Sequence, residues 1–138
     1  MQKNSLRIVV DTNLWISFLI STEYSRLLDL IKQDKITLLF SGELLEEILD
    51  VAERPKMRKY FPLQDVFNLL TFFELYGELI EVKSNYNLSR DKKDNFLLNL
   101  AVDGKAKYLI TGDDDLLSLH KVQQTNIIQY AKFLSLTI

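Results

Sequence analysis

Two short apolar runs, one near each end of the chain, are each followed directly by acidic residues. The first run covers residues 6–10 and leads into Asp11, and the second covers residues 107–110 and leads into the acidic stretch 113–115. Such runs, with β-branched residues and little alternation, are typical of parallel strands buried on both faces. Ligands bind just beyond the carboxyl ends of strands in an open parallel sheet. Since carboxylate oxygens suit hard divalent cations, the two acidic ends predict a metal site that acts on phosphate.

Composition narrows the chemistry that such a site could perform. The chain has 138 residues, which predicts a single domain covering residues 1–138. It contains no cysteine, so disulfides, thiolate nucleophiles and cysteine-type zinc sites are excluded. His120 is the only histidine, which excludes a pair of histidines acting as acid and base. Hydrolysis would therefore depend on Asp, Glu, Ser, Thr or Lys, or on metal held by oxygen atoms.

Charge and hydropathy indicate where the protein works. The net charge is −2, whereas proteins that bind nucleic acid are usually basic. The local charge distribution matters more, because carboxylates that hold cations do not repel an anionic substrate once metal is bound. The N-terminus has no signal-peptide pattern, and no apolar run reaches membrane-spanning length. We therefore expect a cytoplasmic protein with no membrane contact.

Strand-like and helix-like patterns alternate along the chain, which predicts βα units and a mostly parallel sheet. Ser41 is expected to cap the third helix, and Pro62 to open the fourth. Gly77 is expected to end that helix, and residues 83–90 to form a loop. The expected strands are 6–10, 36–40, 79–82, 108–110 and 126–128, and the expected helices are 14–19, 24–32, 42–53, 63–76 and 91–104.

Helical periodicity singles out two acids that face inward. Glu47 lies between Leu44 and Val51 on the helical wheel, at the border of the apolar face, whereas the other acids of its helix point away. Asp94 lies on the same side of its helix as the apolar Leu97. The structural alternatives are a solvated charged face for Glu47 and a helix-capping role for Asp94.

The acids that follow the two apolar runs are Asp11, Asp113 and Asp115, with Asn13 and Thr111 beside them. Asp11 could equally cap the next helix, and Asp-rich turns are common, so each acid alone is a weak signal. Their arrangement says more, because acids at two strand ends and two inward helical acids can converge on one pocket. Like charges crowded in this way are costly unless a cation neutralises them.

A segment in the middle of the chain concentrates four cations, Arg54, Lys56, Arg58 and Lys59, beside Tyr60. A positive track next to an aromatic side chain is typical of contact with single-stranded nucleic acid. The segment is therefore predicted to bind the substrate backbone. An ordinary charged surface run is the alternative, and the sequence favours neither.

Four short motifs, taken in order, resemble those of the PIN domain family. They are VVDTN at 9–13, SGELLEEILDVAERPK at 41–56, DKKDN at 91–95 and LITGDDDLL at 109–117. Each motif is short, whereas the ordered set is specific and covers nearly the whole chain. The similarity is to the branch of small prokaryotic PIN proteins assigned as toxin components of toxin–antitoxin pairs.

The resemblance implies a three-layer α/β/α fold with a central, mostly parallel sheet of four to five strands. It also implies a Mg²⁺ or Mn²⁺ cofactor, endoribonuclease activity on single-stranded RNA, an antitoxin partner and frequent homodimers. The implied catalytic and metal-binding acids are Asp11, Glu47, Asp94 and Asp113, with Asp115 as a fifth metal ligand and Asn13 and Thr111 in support.

Two other interpretations remain open. The chain could be a non-catalytic member of the same fold that binds nucleic acid or protein and uses the acids structurally; metal-dependent cleavage separates this interpretation from the nuclease. A phosphoacceptor receiver domain also gathers acids at strand ends. It would need a lysine after its penultimate strand, where this chain has Thr111, Gly112 and Asp113.

Overall fold

The structure is a computed structural model that describes residues 5–21, 25–60 and 62–137. No helix within these ranges is both long and apolar enough to cross a bilayer. A 3-10 turn, Lys92–Asp94, precedes the fifth helix. The strands and helices, in chain order, are β1 (Leu6–Val10), α1 (Thr12–Ser21), α2 (Ser25–Lys32), β2 (Ile36–Phe40), α3 (Gly42–Ala52), α4 (Leu63–Tyr76), β3 (Gly77–Leu79), α5 (Asn95–Asp103), β4 (Tyr108–Ile110), α6 (Asp114–Leu117), β5 (Lys121–Val122), β6 (Thr125–Ile128) and α7 (Tyr130–Thr137).

The central sheet has six strands in the order β3-β2-β1-β4-β6-β5. All neighbouring strands run parallel except β5 and β6, which form a short antiparallel pair. The predicted α/β class with a mostly parallel sheet is confirmed. The expected count of four to five strands is too low by one. The strand that was not predicted is β5. It has only two residues, so the sequence contains no apolar run that would indicate it.

The chain connections change direction between β1 and β4. From β1 the chain moves to β2 and β3 on one side, and from β4 it moves to β6 on the other. Because crossovers between parallel strands are almost always right-handed, this order is expected to place α1 to α4 on one face of the sheet and α5 and α6 on the other, as a three-layer fold requires. The carboxyl ends of β1 and β4 therefore flank the topological switch point, where open α/β sheets bind ligands.

The central strands are buried on both faces, as their composition predicts. Residues 8–10 of β1 and all five residues of β2 are buried. Trp15 of α1 and Phe40 of β2 both pack on Phe73 of α4, with ring centroids 5.1 and 5.2 Å apart. Such aromatic contacts add to the burial energy and fix the angle between neighbouring elements. They hold α1, which begins at the candidate site, firmly on the sheet.

The helix boundaries largely follow the sequence signals. The Ser41 hydroxyl accepts a hydrogen bond from the Leu44 N–H at 3.1 Å, so the predicted cap of α3 is present. The fourth helix has the predicted bounds and follows Pro62. The expected helix at 91–104 begins instead as the 3-10 turn and becomes α-helical at Asn95. Residue 24, where the second helix was expected to begin, lies outside the described residues.

The third strand begins two residues before its predicted position. It pairs with β2 from Gly77 to Leu79, and the Ile80 N–H still donates to the Phe40 carbonyl at 2.8 Å. Beyond Phe40 the neighbouring chain turns into α3, so no backbone remains to pair with residues 81 and 82. The apolar pattern at 79–82 thus marked the right region but the wrong register.

Candidate active site

A polar cavity of about 210 Å³ lies at the switch point, where β1 and β4 end. We call it the acid cavity. All four predicted catalytic acids line it, together with Asn13 and Arg54. The lining residues are Asp11, Thr12, Asn13, Glu47, Val51, Arg54, Asp91, Lys93, Asp94, Phe96, Leu97 and Asp113.

Asp11 is buried at the start of α1 and is held by two donors. Its Oδ1 accepts from the Leu14 N–H at 2.8 Å, and its Oδ2 accepts from the Thr111 hydroxyl. Capping of the helix and membership of the site, the two interpretations of this residue, therefore hold together. Burial raises the pKa of Asp11 above its ordinary value, and the charge of Asp113 adds to this, while the bonds from Thr111 and Leu14 act in the opposite direction.

Thr111 joins the two strand ends. Its hydroxyl donates to Asp11 and accepts from the Asp113 N–H at 3.0 Å. The side chain is fully buried, so this hydroxyl has fixed partners and little freedom to rotate. The structure thus places Thr111 in a supporting position between two of the predicted catalytic acids.

Asp94 and Asp113 approach each other across the cavity. Desolvation of the Asp94 carboxyl, its hydrogen bond with Asp113, and the negative charges of Asp113, Asp91 and Asp11 raise the pKa of Asp94 to about 7. Asp94 precedes α5, but its side chain makes no capping bond to that helix. Its Oδ2 is buried and has no hydrogen-bond donor among the described residues. The capping interpretation of Asp94 is therefore not what the structure shows.

Glu47 reaches the cavity from α3, as the helical wheel predicts. It is half-buried, whereas Glu43, Glu46 and Asp50 are exposed. Arg54 follows two turns later and lines the same cavity, with its guanidinium 3.3 Å from the exposed Asp50 carboxylate. A cation and an acid from one helix end therefore share the wall opposite the strand ends.

Asp115, the fifth predicted metal ligand, does not line the acid cavity. Its carboxylate forms an ion pair with Arg90, with an N–O distance of 2.8 Å, and its backbone N–H donates to Asp113 Oδ1 at 3.1 Å. Both Asp113 and Asp115 follow the same strand, so their sequence positions alone do not show which of them faces the cavity. The helical turn that begins between them turns Asp115 away from the cavity.

Of the four predicted substrate-binding cations, only Arg54 lines the acid cavity. Lys56, Arg58 and Lys59 are exposed on the turns that connect α3 to α4. The Lys59 ammonium lies 5.0 Å from the centre of the Tyr60 ring, in a cation–π contact. These side chains remain accessible to an anionic ligand, but the cavity does not depend on them.

Two charged residues that line the cavity, Asp91 and Lys93, are not among the site residues predicted from the sequence. Asp91 caps the 3-10 turn, with its carboxylate accepting from the Lys93 N–H at 3.1 Å, and it adds negative charge beside Asp94. Lys93 itself lines the cavity as well. The spacing of Asp91 and Asp94, three residues apart at a helix start, is the signal that could have identified the first of them.

The oxygen atoms that line the acid cavity are of the chemical type that binds a hard divalent cation. Every ionisable acceptor is a carboxylate, the oxygen ligand that Mg²⁺ and Mn²⁺ favour. The Oδ2 atom of Asp94 is buried and has no partner among the described residues, so it is an acceptor that could bind a cation. Within the described ranges, no three acidic side chains lie close enough to share one ion. A cation would have to draw a third carboxylate towards the Asp94–Asp113 pair.

Comparison with known proteins agrees with this arrangement of fold and cavity. The sequence profile of the PIN domain family matches residues 7–115, and the chain therefore belongs to the PIN domain family. Proteins of this family are generally metal-dependent nucleases. The chain is also similar to MJ1680, an uncharacterized protein of Methanocaldococcus jannaschii. The two are 38% identical over 122 residues, which cover 86% of this chain and 78% of the relative.

Proposed function

We propose that the protein is a metal-dependent endoribonuclease that cleaves single-stranded RNA in the acid cavity. The observation that carries this proposal is the convergence of carboxylates from four separate segments on one cavity, with an unpartnered buried oxygen among them. A structural acid would instead be satisfied by donors or by a cation. Asp11, Asp94 and Asp113 would hold one or two Mg²⁺ or Mn²⁺ ions, and Glu47 would bind a second ion or orient water.

Each residue would have a distinct task. Asp11 is fixed by its two donors, so its remaining lone pairs point in set directions. Glu47, half-buried on α3, would bind a second ion or orient the attacking water. Arg54 and Lys93 would neutralise the phosphodiester as it enters among the acids. The bound cation would supply Lewis acidity and lower the pKa of water, so no histidine is needed.

The test of the nuclease is cleavage of short single-stranded RNAs with and without Mn²⁺. Metal-assisted hydrolysis should give products with a 5′-phosphate and a 3′-hydroxyl, and EDTA should abolish it. Cleavage that survives EDTA, or that yields 2′,3′-cyclic ends, would overturn the metal mechanism. Asp29→Asn, a change at an exposed acid of α2, provides a matched control that should keep full activity.

A second candidate function is a non-catalytic PIN-fold module that binds nucleic acid or protein. One observation favours it: among the described residues no three acids are already positioned to share an ion. Such a module would bind RNA equally well with and without Mn²⁺ and would leave it intact. Intact RNA after prolonged incubation with either metal would therefore support the binding module over the nuclease.

Contact of the basic segment with RNA can be tested separately. Replacing Arg54, Lys56, Arg58 and Lys59 with Ala should weaken RNA binding and flatten its salt dependence, because fewer counterions are released. The measurement is the dissociation constant at several salt concentrations in EDTA, together with Mn²⁺ affinity. An unchanged salt slope would show that the segment is only an exposed surface.

The toxin role and the antitoxin partner are part of the proposal, supported by the motif resemblance. A protein partner, or a second copy of the chain, would also suit the large apolar side chains exposed on α4 and β3. Phe67, Leu75 and Leu79 are 54%, 70% and 64% exposed. Growth arrest on expression in a bacterial host, relieved by Asp94→Asn, would support the toxin role. Unimpaired growth with active enzyme present would contradict it.

A further inference from the structure

A second cavity, of about 410 Å³, lies beside the acid cavity. Phe96 lines both of them. The residues around the 3-10 turn divide between the two, since Lys93 and Asp94 line the acid cavity whereas Lys92 and Asn95 line the second. We call the second cavity the asparagine groove, after four of its lining residues, Asn85, Asn87, Asn95 and Asn99.

One wall of the groove comes from residues 83–89, a segment without regular secondary structure that α5 nevertheless fixes. Three polar side chains, one helical turn apart on α5, accept hydrogen bonds from its backbone. The acceptors and their N–H donors are Asp103 with Lys83 (2.5 Å) and Ser84 (2.8 Å), Asn99 with Tyr86 (2.6 Å), and Asn95 with Ser89 (2.9 Å). Asn95 and Asn99 are each only 8% exposed, and the bond between Asn95 and the Ser89 N–H is buried. The wall is therefore built into the fold rather than being a loose loop.

This wall presents hydrogen-bonding groups that the fold itself does not use. Asn87 accepts from the Asn95 amide at 2.6 Å through its Oδ1, which leaves its own N–H₂ group as a donor. Asn85 is exposed, and its amide makes no hydrogen bond with another described residue. Tyr86 and Phe96, both half-buried, add two aromatic rings to the lining. The groove thus combines fixed amide donors and acceptors with aromatic surfaces.

We propose that the asparagine groove is a base-selective subsite for the single-stranded RNA that the acid cavity cleaves. This inference rests on the proposed nuclease function and names how its substrate is chosen. Single-stranded RNA is read by amide hydrogen bonds to base edges and by stacking on aromatic side chains, and the groove offers both. Its volume falls within the range of roughly 300–1,000 Å³ that is usual for small-molecule sites.

The lining of the groove carries one acid, Glu43, and one cation, Lys92, so it has no net charge that would attract a phosphate. Glu43 lines it and would repel a phosphate, while its carboxylate can accept a hydrogen bond from the amino group of a base. Lys92 lies on the side of the 3-10 turn, next to Lys93 of the acid cavity. An RNA strand with one phosphate at the acid cavity would therefore place a neighbouring base at the groove, with Phe96 between the two.

The experiment compares wild type, Asn85→Ala, and the double variant Asn85→Ala/Asn87→Ala. The matched control is Asn68→Ala, which removes an exposed amide from α4 outside the groove. Two measurements are made on each protein: dissociation constants for the four homopolymeric heptamers of RNA in EDTA, and cleavage positions in a randomised single-stranded RNA with Mn²⁺. Binding in EDTA requires no catalysis, so it tests the groove independently of the nuclease. Asn85 is exposed and its amide makes no hydrogen bond with another described residue, which keeps the single variant informative if the double variant is unstable.

Wild type should prefer one base by about tenfold, as expected for amide pairing with a base edge, and should show that preference at one position beside the cleaved bond. Asn85→Ala should reduce the preference and the double variant should remove it, while Asn68→Ala keeps it. Equal discrimination by wild type and both groove variants would overturn the subsite, and so would the absence of any base preference in the wild type. Cleavage without a groove-dependent base preference would support the nuclease proposal and overturn the subsite. Groove-dependent binding without cleavage in any metal would leave the subsite standing and the nuclease proposal refuted.

Discussion

The two ends of α5 carry the same kind of side chain in opposite electrostatic states. At the N-terminal end, Asp94 is surrounded by other acids, its Oδ2 lacks a donor, and its pKa is raised to about 7. At the C-terminal end, burial by itself would raise the pKa of Asp103, but hydrogen bonds from Ser84 and from the Lys83 N–H lower it below its ordinary value. The fold thus supplies hydrogen-bond donors that stabilise the charged form of Asp103, whereas the acids around Asp94 disfavour its charged form.

This difference fits the proposal that Asp103 holds the fold together and that Asp94 serves a ligand. Asp103 fixes the segment that forms one wall of the asparagine groove, and its donors come from the protein itself. Asp94 lies among like charges, with Arg54 and Lys93 lining the same cavity, and its Oδ2 has no partner among the described residues, which fits its proposed role as a metal ligand. Replacing each acid with the isosteric amide removes the charge and keeps the shape. The pair of variants Asp94→Asn and Asp103→Asn therefore tests the comparison directly.

The largest expected effect is on cleavage. Asp94→Asn should lower kcat/KM for a short RNA by at least about a hundredfold, since it removes a proposed metal ligand at the site of reaction. Asp103→Asn should keep most of the wild-type rate, because that side chain lies outside the acid cavity. Single-turnover cleavage with Mn²⁺ measures both. Comparable losses in the two variants would mean that the integrity of α5, and not the acid cavity, limits the rate.

The next largest effect is stabilisation by metal. Mn²⁺ at about a hundredfold excess over its dissociation constant should stabilise the wild type by about 2.7 kcal/mol, because the folded state alone binds it. Asp103→Asn should gain as much, and Asp94→Asn should gain less. Melting curves with and without Mn²⁺ give the three differences. Equal gains in all three proteins would show that Asp94 does not contribute to a cation site.

A smaller effect is expected on the free energy of unfolding of the metal-free protein, and the two variants should change it in opposite directions. Asp94→Asn should raise the free energy of unfolding by about 1 kcal/mol, since it relieves like-charge repulsion that solvent partly screens. Asp103→Asn should lower it by about 1 kcal/mol through weaker hydrogen bonds to residues 83 and 84. Denaturant titrations in EDTA resolve these changes. Destabilisation by Asp94→Asn would restore the helix-capping interpretation, which the absence of a capping bond argues against.

The smallest effect is a pH dependence of the metal-free stability. The pKa of Asp94 is about 7 in the folded state against 3.8 ordinarily, so the folded state binds its proton more tightly. Its contribution to stability is complete below the ordinary pKa and is lost as the pH rises through the folded pKa of about 7. Asp103, with a lowered pKa, contributes in the opposite sense and loses its effect in acid. Wild-type stability should therefore decline towards neutral pH relative to Asp94→Asn, and parallel pH profiles of the two proteins would contradict this.

Much of the fold and part of the candidate site could be predicted because their signals are local. The buried strands β1 and β2 are continuous apolar runs, Ser41 is a cap residue before an amphipathic helix, and Glu47 borders an apolar face. The register of β3 could not be predicted, because it depends on where the neighbouring strand β2 stops. The same holds for Asp115, whose position depends on the turn that begins at Asp113 and on Arg90 from another segment.

The sequence by itself determined the α/β class, the PIN family and four of the acids that line the cavity, because apolar periodicity and ordered motifs are properties of neighbouring residues. Only the tertiary structure decided which acids are satisfied. Asp94 and Asp103 have the same side chain, yet one meets Asp113 across the switch point and the other meets Ser84 from a distant segment. A carboxylate's electrostatic state depends on every charge and donor within a few ångströms, and these come from segments that the sequence separates. The asparagine groove likewise depends on tertiary structure. Its lining residues come together only when residues 83–89 pack on α5.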